Sequence, residues 1–198
     1  MTHSSDTAFP TREPLASSVD APGAASSVPA GDFAAAFRRH PAGVAVITAD
    51  SGTGPVAMTA TSVSSISADP PLLMFSLSDL SSSSPAIREA ETIVVHLLEA
   101  EQVDLAKLGA TSGIDRFADT TIWSRLATGE PYFLSARTWI RGRITHKIRA
   151  GTSVVVIVEA EEIHLPTGGD SGTETAEAHP LVYCNRGWHH LGDHSQII

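Results

Sequence analysis

Cysteine, positive charge and long apolar runs are scarce in this chain, and each shortage excludes a class of protein. Cys184 is the only cysteine among 198 residues, so no disulfide can form within the chain, as expected for a reducing cytoplasm. The net charge of −9 leaves no basic footprint for nucleic acid or an anionic membrane. No apolar run approaches the length that spans a bilayer, and the N-terminus lacks a secretory signal. We therefore expect a soluble cytoplasmic protein without nucleic-acid or membrane partners.

The composition predicts one domain preceded by a mobile tail. Residues 1–30 are rich in Ser, Ala, Pro and Thr and contain few large apolar side chains, so burial cannot offset the entropy of ordering them. Residues 31–198 are long enough for one domain with a sizeable core, but short for two. An apolar content of 42% is ordinary for a globular protein.

Strand patterns dominate the remainder. β-branched runs bounded by turn residues predict strands. The run 154–158, apolar on both faces, is expected in a central strand, and the single His96 in a buried strand is expected to be a core histidine with satisfied hydrogen bonds. Many strands with few short helices indicate a mainly β barrel or sandwich. The predicted strands are 43–49, 58–67, 72–78, 92–98, 138–149, 152–165 and 181–191; the predicted helices are 33–40 after an Asp32 cap, a short one from Pro85, and 101–110.

One stretch, residues 58–67, combines small side chains, hydroxyls and backbone N–H groups. Such a surface suits a flat, polar-edged ligand that carries phosphate, because nothing bulky blocks its approach. A half-exposed Ser/Thr-rich strand with no ligand is the alternative interpretation. A second polar stretch, Ser81 to Ser84 followed by Pro85, predicts a helix start with Ser84 as the cap. Its unpaired N–H groups are a seat for phosphate, and a flexible serine linker is the alternative.

Several segments in order along the chain resemble the flavin reductase family with the FMN-binding split-barrel fold. These proteins are the small reductase components of two-component flavin-dependent monooxygenases. The segments that carry the resemblance are 37–48, 58–67, 70–72, 81–84, Arg116-Phe117 with Trp123, 181–183 and 187–191. Each is weak alone, and together they are specific.

The resemblance implies a split β-barrel, Greek-key-like and with short flanking helices, and an NAD(P)H-dependent flavin reductase. It would reduce FAD or FMN with NADH, or NADPH, and supply reduced flavin to a partner oxygenase. A homodimer is also implied. The implied flavin contacts are Met58, Thr59, Ala60 and Thr61 at the ring edge, Ser64 and Ser65 at the ribityl chain or phosphate, Ser82, Ser83 and Ser84 at the phosphate, and His40 and Pro41 at the mouth.

One departure from the family concerns the hairpin Gly151-Thr152-Ser153, where many relatives have Gly-Asp-His. Ser153 thus replaces the histidine that the family places near the nicotinamide. A hydroxyl can donate a hydrogen bond but carries no charge at neutral pH. Ser153 and His189, which could compensate from the last strand, are the candidate catalytic residues. The departure also keeps open a split-barrel protein that binds flavin or another flat cofactor without reducing it.

Two other classes are disfavoured. A metal site built from His189, His190 and His194 is unfavourable, because adjacent strand residues point to opposite faces. A serine hydrolase would need a Gly-x-Ser-x-Gly elbow that the chain lacks. Arg88, Arg116 and Arg186 are either contacts for a nucleotide phosphate or structural ion-pair residues.

Overall fold

The computed structural model describes residues 27–166 and 179–197. The predicted tail therefore lies almost wholly outside the described residues, as does most of the loop expected at 166–179. The helices are α1 (Ala30–Arg38), α2 (Ser84–Glu89) and α3 (Val103–Ala110), with short 3-10 turns at Ala100–Gln102 and Asp193–Ser195. The strands are β1 (Ala42–Gly43), β2 (Ala45–Asp50), β3 (Pro55–Ala60), β4 (Ser64–Ala68), β5 (Pro71–Ser78), β6 (Thr92–Leu97), β7 (Trp123–Arg125), β8 (Pro131–Phe133), β9 (Thr138–Ala150), β10 (Ser153–His164), β11 (Leu181–Cys184) and β12 (Gly187–His190).

An antiparallel seven-stranded sheet forms the body of the molecule, in the order β3-β2-β6-β9-β10-β5-β4. A three-stranded sheet, β1-β11-β12, and the pair β7-β8 complete the β structure. The large sheet curves around its core and leaves β3 and β4 at its two edges, so the barrel is split rather than closed. The prediction of a mainly β fold with a few short helices is confirmed.

The two faces of β10 show how the sheet is packed. Val154, Val156 and Val158 are buried in the core, whereas Val155 and Ile157 face the other way and are half-buried. β10 lies between β9 and β5, which confirms the central position predicted for 154–158. The expected turn before β10 is also present, and Gly151 supplies its positive φ of 60°.

His96 fills a second core region between the sheet and β8. Its Nδ1 lies 2.9 Å from the carbonyl oxygen of Val46, and the backbone N–H of Phe133 donates to its Nε2 over 3.1 Å. Since Nε2 accepts, Nδ1 carries the proton and donates to Val46. Burial lowers the pKa of His96 to about 4. The prediction of a satisfied core histidine is confirmed.

The predicted last strand, 181–191, is wrong in one respect: it is a hairpin of two short strands. Asn185 and Arg186 form its turn with positive φ angles of 48° and 63°. Such a two-residue turn matches the twist of the strands when both residues have positive φ. An arginine in the second position hides the signal that a glycine would have given.

Two helix starts also differ from the predictions. α1 begins at Ala30 after Pro29, so Asp32 lies in its first turn and does not cap it. There its carboxylate still interacts favourably with the positive end of the helix dipole. α2 begins at Ser84, and Ser83 occupies the cap position, one residue earlier than predicted.

Candidate functional site

A cavity of about 860 Å³ opens between three parts of the fold. One wall is the end of α1 with the segment that follows it, the second is the loop between β3 and β4, and the third is the β11–β12 turn. Its volume lies in the range of small-molecule and cofactor sites. The lining residues are Ala34, Phe37, Arg38, His40, Pro41, Ala42, Gly43, Thr61, Ser62, Val63, Ser64, Met74, Tyr183, Cys184, Asn185 and Arg186.

The cavity is cationic although the chain as a whole is acidic. Arg38, His40 and Arg186 line it, and the residues that line it include no aspartate or glutamate. Within the described residues, neither Arg38 nor Arg186 takes part in an ion pair. Arg141, by contrast, is held between Glu130 and Glu161. Two unpaired guanidinium groups in a concave surface attract an anionic ligand.

The opposite wall presents hydroxyl groups on a short loop. β3 ends at Ala60 and β4 begins at Ser64, so Thr61, Ser62 and Val63 bridge the two edge strands. The loop is fixed to β5, because the backbone N–H of Ser76 donates to the Ser62 hydroxyl over 2.9 Å. This wall offers hydrogen-bonding groups without bulk, as a flat ring with a polar edge requires.

Of the predicted ligand contacts, His40, Pro41, Thr61 and Ser64 line this cavity. The earlier part of the stretch turns inward instead. Met58 and Ala60 are buried in the core, and the Thr59 hydroxyl donates to the carbonyl oxygen of Ala106 in α3 over 2.6 Å. Strand alternation explains this arrangement, since successive side chains point to opposite sides of β3.

Two serines of the cluster before α2 are buried and use their hydroxyl groups in hydrogen bonds within the fold. Ser83 and Ser84 are only 1% and 2% exposed; the Ser83 hydroxyl donates to the carbonyl oxygen of Ala57 over 2.8 Å, and the Ser84 hydroxyl donates to that of Ser78. Ser82 is exposed, and so is Ser65 in β4. These four residues do not line the cavity, and their contacts with a ligand stay predictions.

Arg116 lies beside this cluster. Its Nη1 is 3.4 Å from the Ser83 hydroxyl, and its Nη2 donates to the carbonyl oxygen of Thr111 over 2.6 Å. Its Nε is buried and has no partner among the described residues. Burial lowers the pKa of the guanidinium. A guanidinium with an unused donor at a serine-rich helix start is suited to a phosphate.

The cavity and the serine cluster lie along the same strand. Ser64 is opposite Met74, and Ser153 is opposite Ser78, four residues further along β5. At about 3.3 Å per residue the two positions are about 13 Å apart on one face of the sheet. Ser153 therefore lies near the serine end of this face, outside the cavity. His189 is exposed, and its Nε2 donates to the carbonyl oxygen of Cys184 in the cavity wall over 3.2 Å.

The sequence interpretation named His40 as a contact at the mouth and Arg186 as either a phosphate contact or an ion-pair residue, but it did not single out Phe37, Arg38 or Asn185. Phe37 and Arg38 are the last two residues of the exposed helix α1, and Asn185 and Arg186 lie within the predicted strand 181–191. An asparagine followed by a charged residue in an apolar run is a turn signal that could have placed them.

The sequence model of the flavin reductase like domain matches residues 37–192. This chain belongs to the flavin reductase family. It is 44% identical over 162 residues to an NADH:FMN oxidoreductase of Rhodococcus erythropolis, covering 82% of each chain. The crystal structure of a flavin reductase domain protein from Arthrobacter sp. FB24 superimposes with a TM-score of 0.74 at 32% identity, over 85% of this chain and 99% of that one.

The fold agrees with the family. The flavin reductase component BorF of a bacterial two-component tryptophan halogenase matches 83% of this chain and 99% of its own, with a TM-score of 0.70 and 25% identity. The predicted split barrel is thus confirmed. Across 27–166 and 179–197 no helix has the length and apolarity to cross a membrane, and those same residues contain no group of three potential metal ligands.

Proposed function

We propose that this flavin reductase transfers hydride from NADH to FMN or FAD and releases the reduced flavin to a separate oxygenase. The observation that carries the proposal is the cavity in which hydroxyl groups of Thr61, Ser62 and Ser64 face two arginines that have no acidic partner among the described residues. An acidic chain that keeps a cationic cavity is suited to a phosphorylated ligand. The family relatives named for NADH and FMN support the choice of substrates.

The flavin would lie along β5 between the cavity and the serine cluster. Thr61, Ser62 and Ser64 would bond the polar edge of its ring, and Ser82 with Arg116 would bind its phosphate at the other end. The length of about 13 Å along β5 between the positions opposite Ser64 and Ser153 suits a ring system with a ribityl phosphate. The buried Nε of Arg116 then gains the acceptor that it lacks.

The bound flavin supplies the hydride chemistry, and this chain supplies position. Holding the flavin by the polar edge of its ring at the Thr61–Ser64 loop leaves one face of the ring for a nicotinamide at near-attack distance. Ser153, uncharged and at the serine end of that face, would donate a hydrogen bond without supplying charge. His189 would act through the Cys184 carbonyl group that its ring holds.

Binding through hydroxyl groups and few arginines permits the flavin to leave after reduction. A two-component system requires this release, because the oxygenase that uses the reduced flavin is a different protein. The relative BorF has that arrangement, being the reductase component of a two-component halogenase. We place the protein in the cytoplasm, where NADH is available.

The test is steady-state oxidation of NADH and of NADPH with FMN, FAD and riboflavin in turn. Bleaching of the flavin colour at the expense of NADH is expected. The alternative, a protein that binds flavin without reducing it, would show quenched flavin fluorescence on binding but no oxidation of either nicotinamide above the rate without protein.

Arg116→Ala is expected to raise KM for FMN about tenfold, because a charge-assisted bond to the phosphate is lost. Riboflavin has no phosphate, so its KM should stay within twofold of the wild-type value. The measurement is KM for each acceptor at saturating NADH. An equal rise for both acceptors would show that Arg116 maintains the loop around Ser83 rather than binding phosphate.

We further propose that a second copy of the chain covers the outer face of the sheet. Five apolar residues of β5, β9 and β10 share that face, because cross-strand pairing places them on the same side of the sheet. They are Leu72, Met74, Ile148, Val155 and Ile157. All five are half-buried, and a continuous apolar patch of this kind marks an interaction site. The patch continues into the cavity through Met74, so a symmetric dimer would close the flavin site.

Ile157→Glu is expected to convert the dimer to a monomer, since it places two unpaired charges at a two-fold interface. Mass by light scattering at several protein concentrations measures this. Leu134→Glu is the matched control, because Leu134 is equally apolar and 52% exposed but lies outside this face. A wild-type chain that scatters as a monomer would contradict the proposal.

A further inference from the structure

The cationic wall of the cavity is not used by a flavin that lies along β5. This wall consists of Phe37 and Arg38 at the end of α1, with Arg186 in the β11–β12 turn. Phe37 is 58% exposed, and its ring is 4.8 Å from that of Phe33 between centroids. No residue of α1 is buried. An aromatic surface thus lies beside two guanidinium groups that form no ion pair in the described part of the chain.

The backbone of Arg186 adopts a conformation that favours glycine. Its φ of 63° is one that glycine adopts freely and that costs other residues about 1 kcal/mol. A turn of this type favours glycine at the second position. Arg186 makes no ion pair within the described residues, so no salt bridge among them offsets that cost. The side chain is instead placed in the cavity wall.

We infer that this wall is a subsite for an adenosine diphosphate group, a conclusion that rests on the proposed function for its biological source. The adenine ring stacks on Phe37, as bases do on exposed aromatic side chains. Arg38 and Arg186 bind the two phosphates, for which the planar guanidinium fork is suited. The subsite lies across the cavity from the hydroxyl wall, so a dinucleotide bound there directs its other half toward the flavin.

Two nucleotides of this reaction carry adenosine diphosphate. NADH contains it, whereas reduced nicotinamide mononucleotide does not. FAD contains it, whereas FMN does not. Comparing each pair of substrates therefore identifies which one uses the subsite.

The first experiment is calorimetric titration of the protein with ADP. Wild-type protein is expected to bind ADP, and Arg38→Ala and Arg186→Gly are each expected to weaken binding about tenfold. Arg39→Ala is the matched control: it removes the same charge from the adjacent residue, which has no ion pair within the described part of the chain and does not line the cavity. Unchanged affinity in both cavity variants, or no binding by the wild-type protein, overturns the inference.

Arg186→Gly carries a second readout that a structural role would not produce. Glycine relieves the positive φ, so the melting temperature is expected to rise by about 2 °C while ADP affinity falls. Loss of affinity accompanied by a lower melting temperature would mean that the arginine supports the turn. That result would also overturn the inference.

KM values for the two pairs of substrates test this inference separately from the proposed function. If NADH occupies the subsite, the variants raise KM for NADH but not for reduced nicotinamide mononucleotide. If FAD occupies it, they raise KM for FAD but not for FMN. Should the wild-type protein reduce no flavin at all, the proposed function fails, while the ADP titration still decides whether the subsite exists.

Discussion

Acidification from pH 6.5 to pH 4 is expected to lower the free energy of unfolding by about 3 kcal/mol through His96 alone. The ordinary histidine pKa is 6.5, and burial lowers that of folded His96 to about 4. Between these values the unfolded chain binds a proton that the folded chain does not. The stability that depends on neutral His96 is therefore complete above pH 6.5 and is lost as the pH falls toward 4.

The structure explains why this imidazole resists protonation. Nε2 accepts the N–H of Phe133 at 3.1 Å, so a second ring proton would replace that bond with two opposed donors. Titration of Glu130 does not contribute to the pH dependence of the free energy of unfolding above pH 4.5. Its pKa is lowered to about 2, against burial, by hydrogen bonds from Arg141 and Thr128, so its contribution is lost only between pH 4.5 and 2.

Urea unfolding at intervals between pH 7 and pH 4.5 measures the effect. His96→Asn is the informative variant: an amide can still donate to Val46, but it does not titrate. We expect it to be less stable than the wild type at pH 7, because a buried donor at Phe133 loses its acceptor, and to show a much flatter dependence on pH. A wild-type curve as flat as that of His96→Asn would contradict the assignment.

The features predicted correctly from the sequence are those that depend on neighbouring residues. Period-2 alternation and turn glycines identify strands locally, so β2, β5, β6, β9 and β10 were placed to within a few residues. The core role of His96 followed from its position within an apolar run. Each is a property of a short window, which is the range over which sequence patterns carry information.

Arg186 was one candidate for a phosphate contact, but its meeting with Arg38 could not be predicted because the cationic wall is assembled from distant parts of the chain. Arg38 and Arg186 are far apart in sequence and meet only because β1 pairs with β11. The inward orientation of Ser83 has a similar origin, because its acceptor, Ala57, is 26 residues away on β3. Ser84 instead bonds the carbonyl oxygen of Ser78 at the end of the preceding strand. Hydroxyl groups that look available in a serine run are then consumed by tertiary hydrogen bonds.

Packing of α3 against β3 controls the position of the hydroxyl wall, and Gly109→Ala tests this. A Cβ atom at Gly109 would lie 2.5 Å from the Thr59 hydroxyl oxygen, 3.1 Å from the Thr59 nitrogen and 3.3 Å from the Met58 carbonyl carbon. We expect a loss of about 2 kcal/mol in the free energy of unfolding, since overpacking outweighs the better helix propensity of alanine. Because β3 leads directly into Thr61, displacement of the strand should also raise KM for flavin severalfold.

A double-mutant cycle with Thr59→Ala identifies the contact responsible. Thr59→Ala alone should cost about 1 kcal/mol, from the hydrogen bond to Ala106. The loss in the free energy of unfolding of the double variant should be about 1 kcal/mol smaller than the sum of the two single losses, because removing the hydroxyl makes room for the new methyl group. Strict additivity would show that the backbone atoms of Met58 and Thr59, rather than the hydroxyl, limit the approach of α3. In that event glycine at position 109 is required to keep the loop of Thr61, Ser62 and Val63 in its place in the cavity wall.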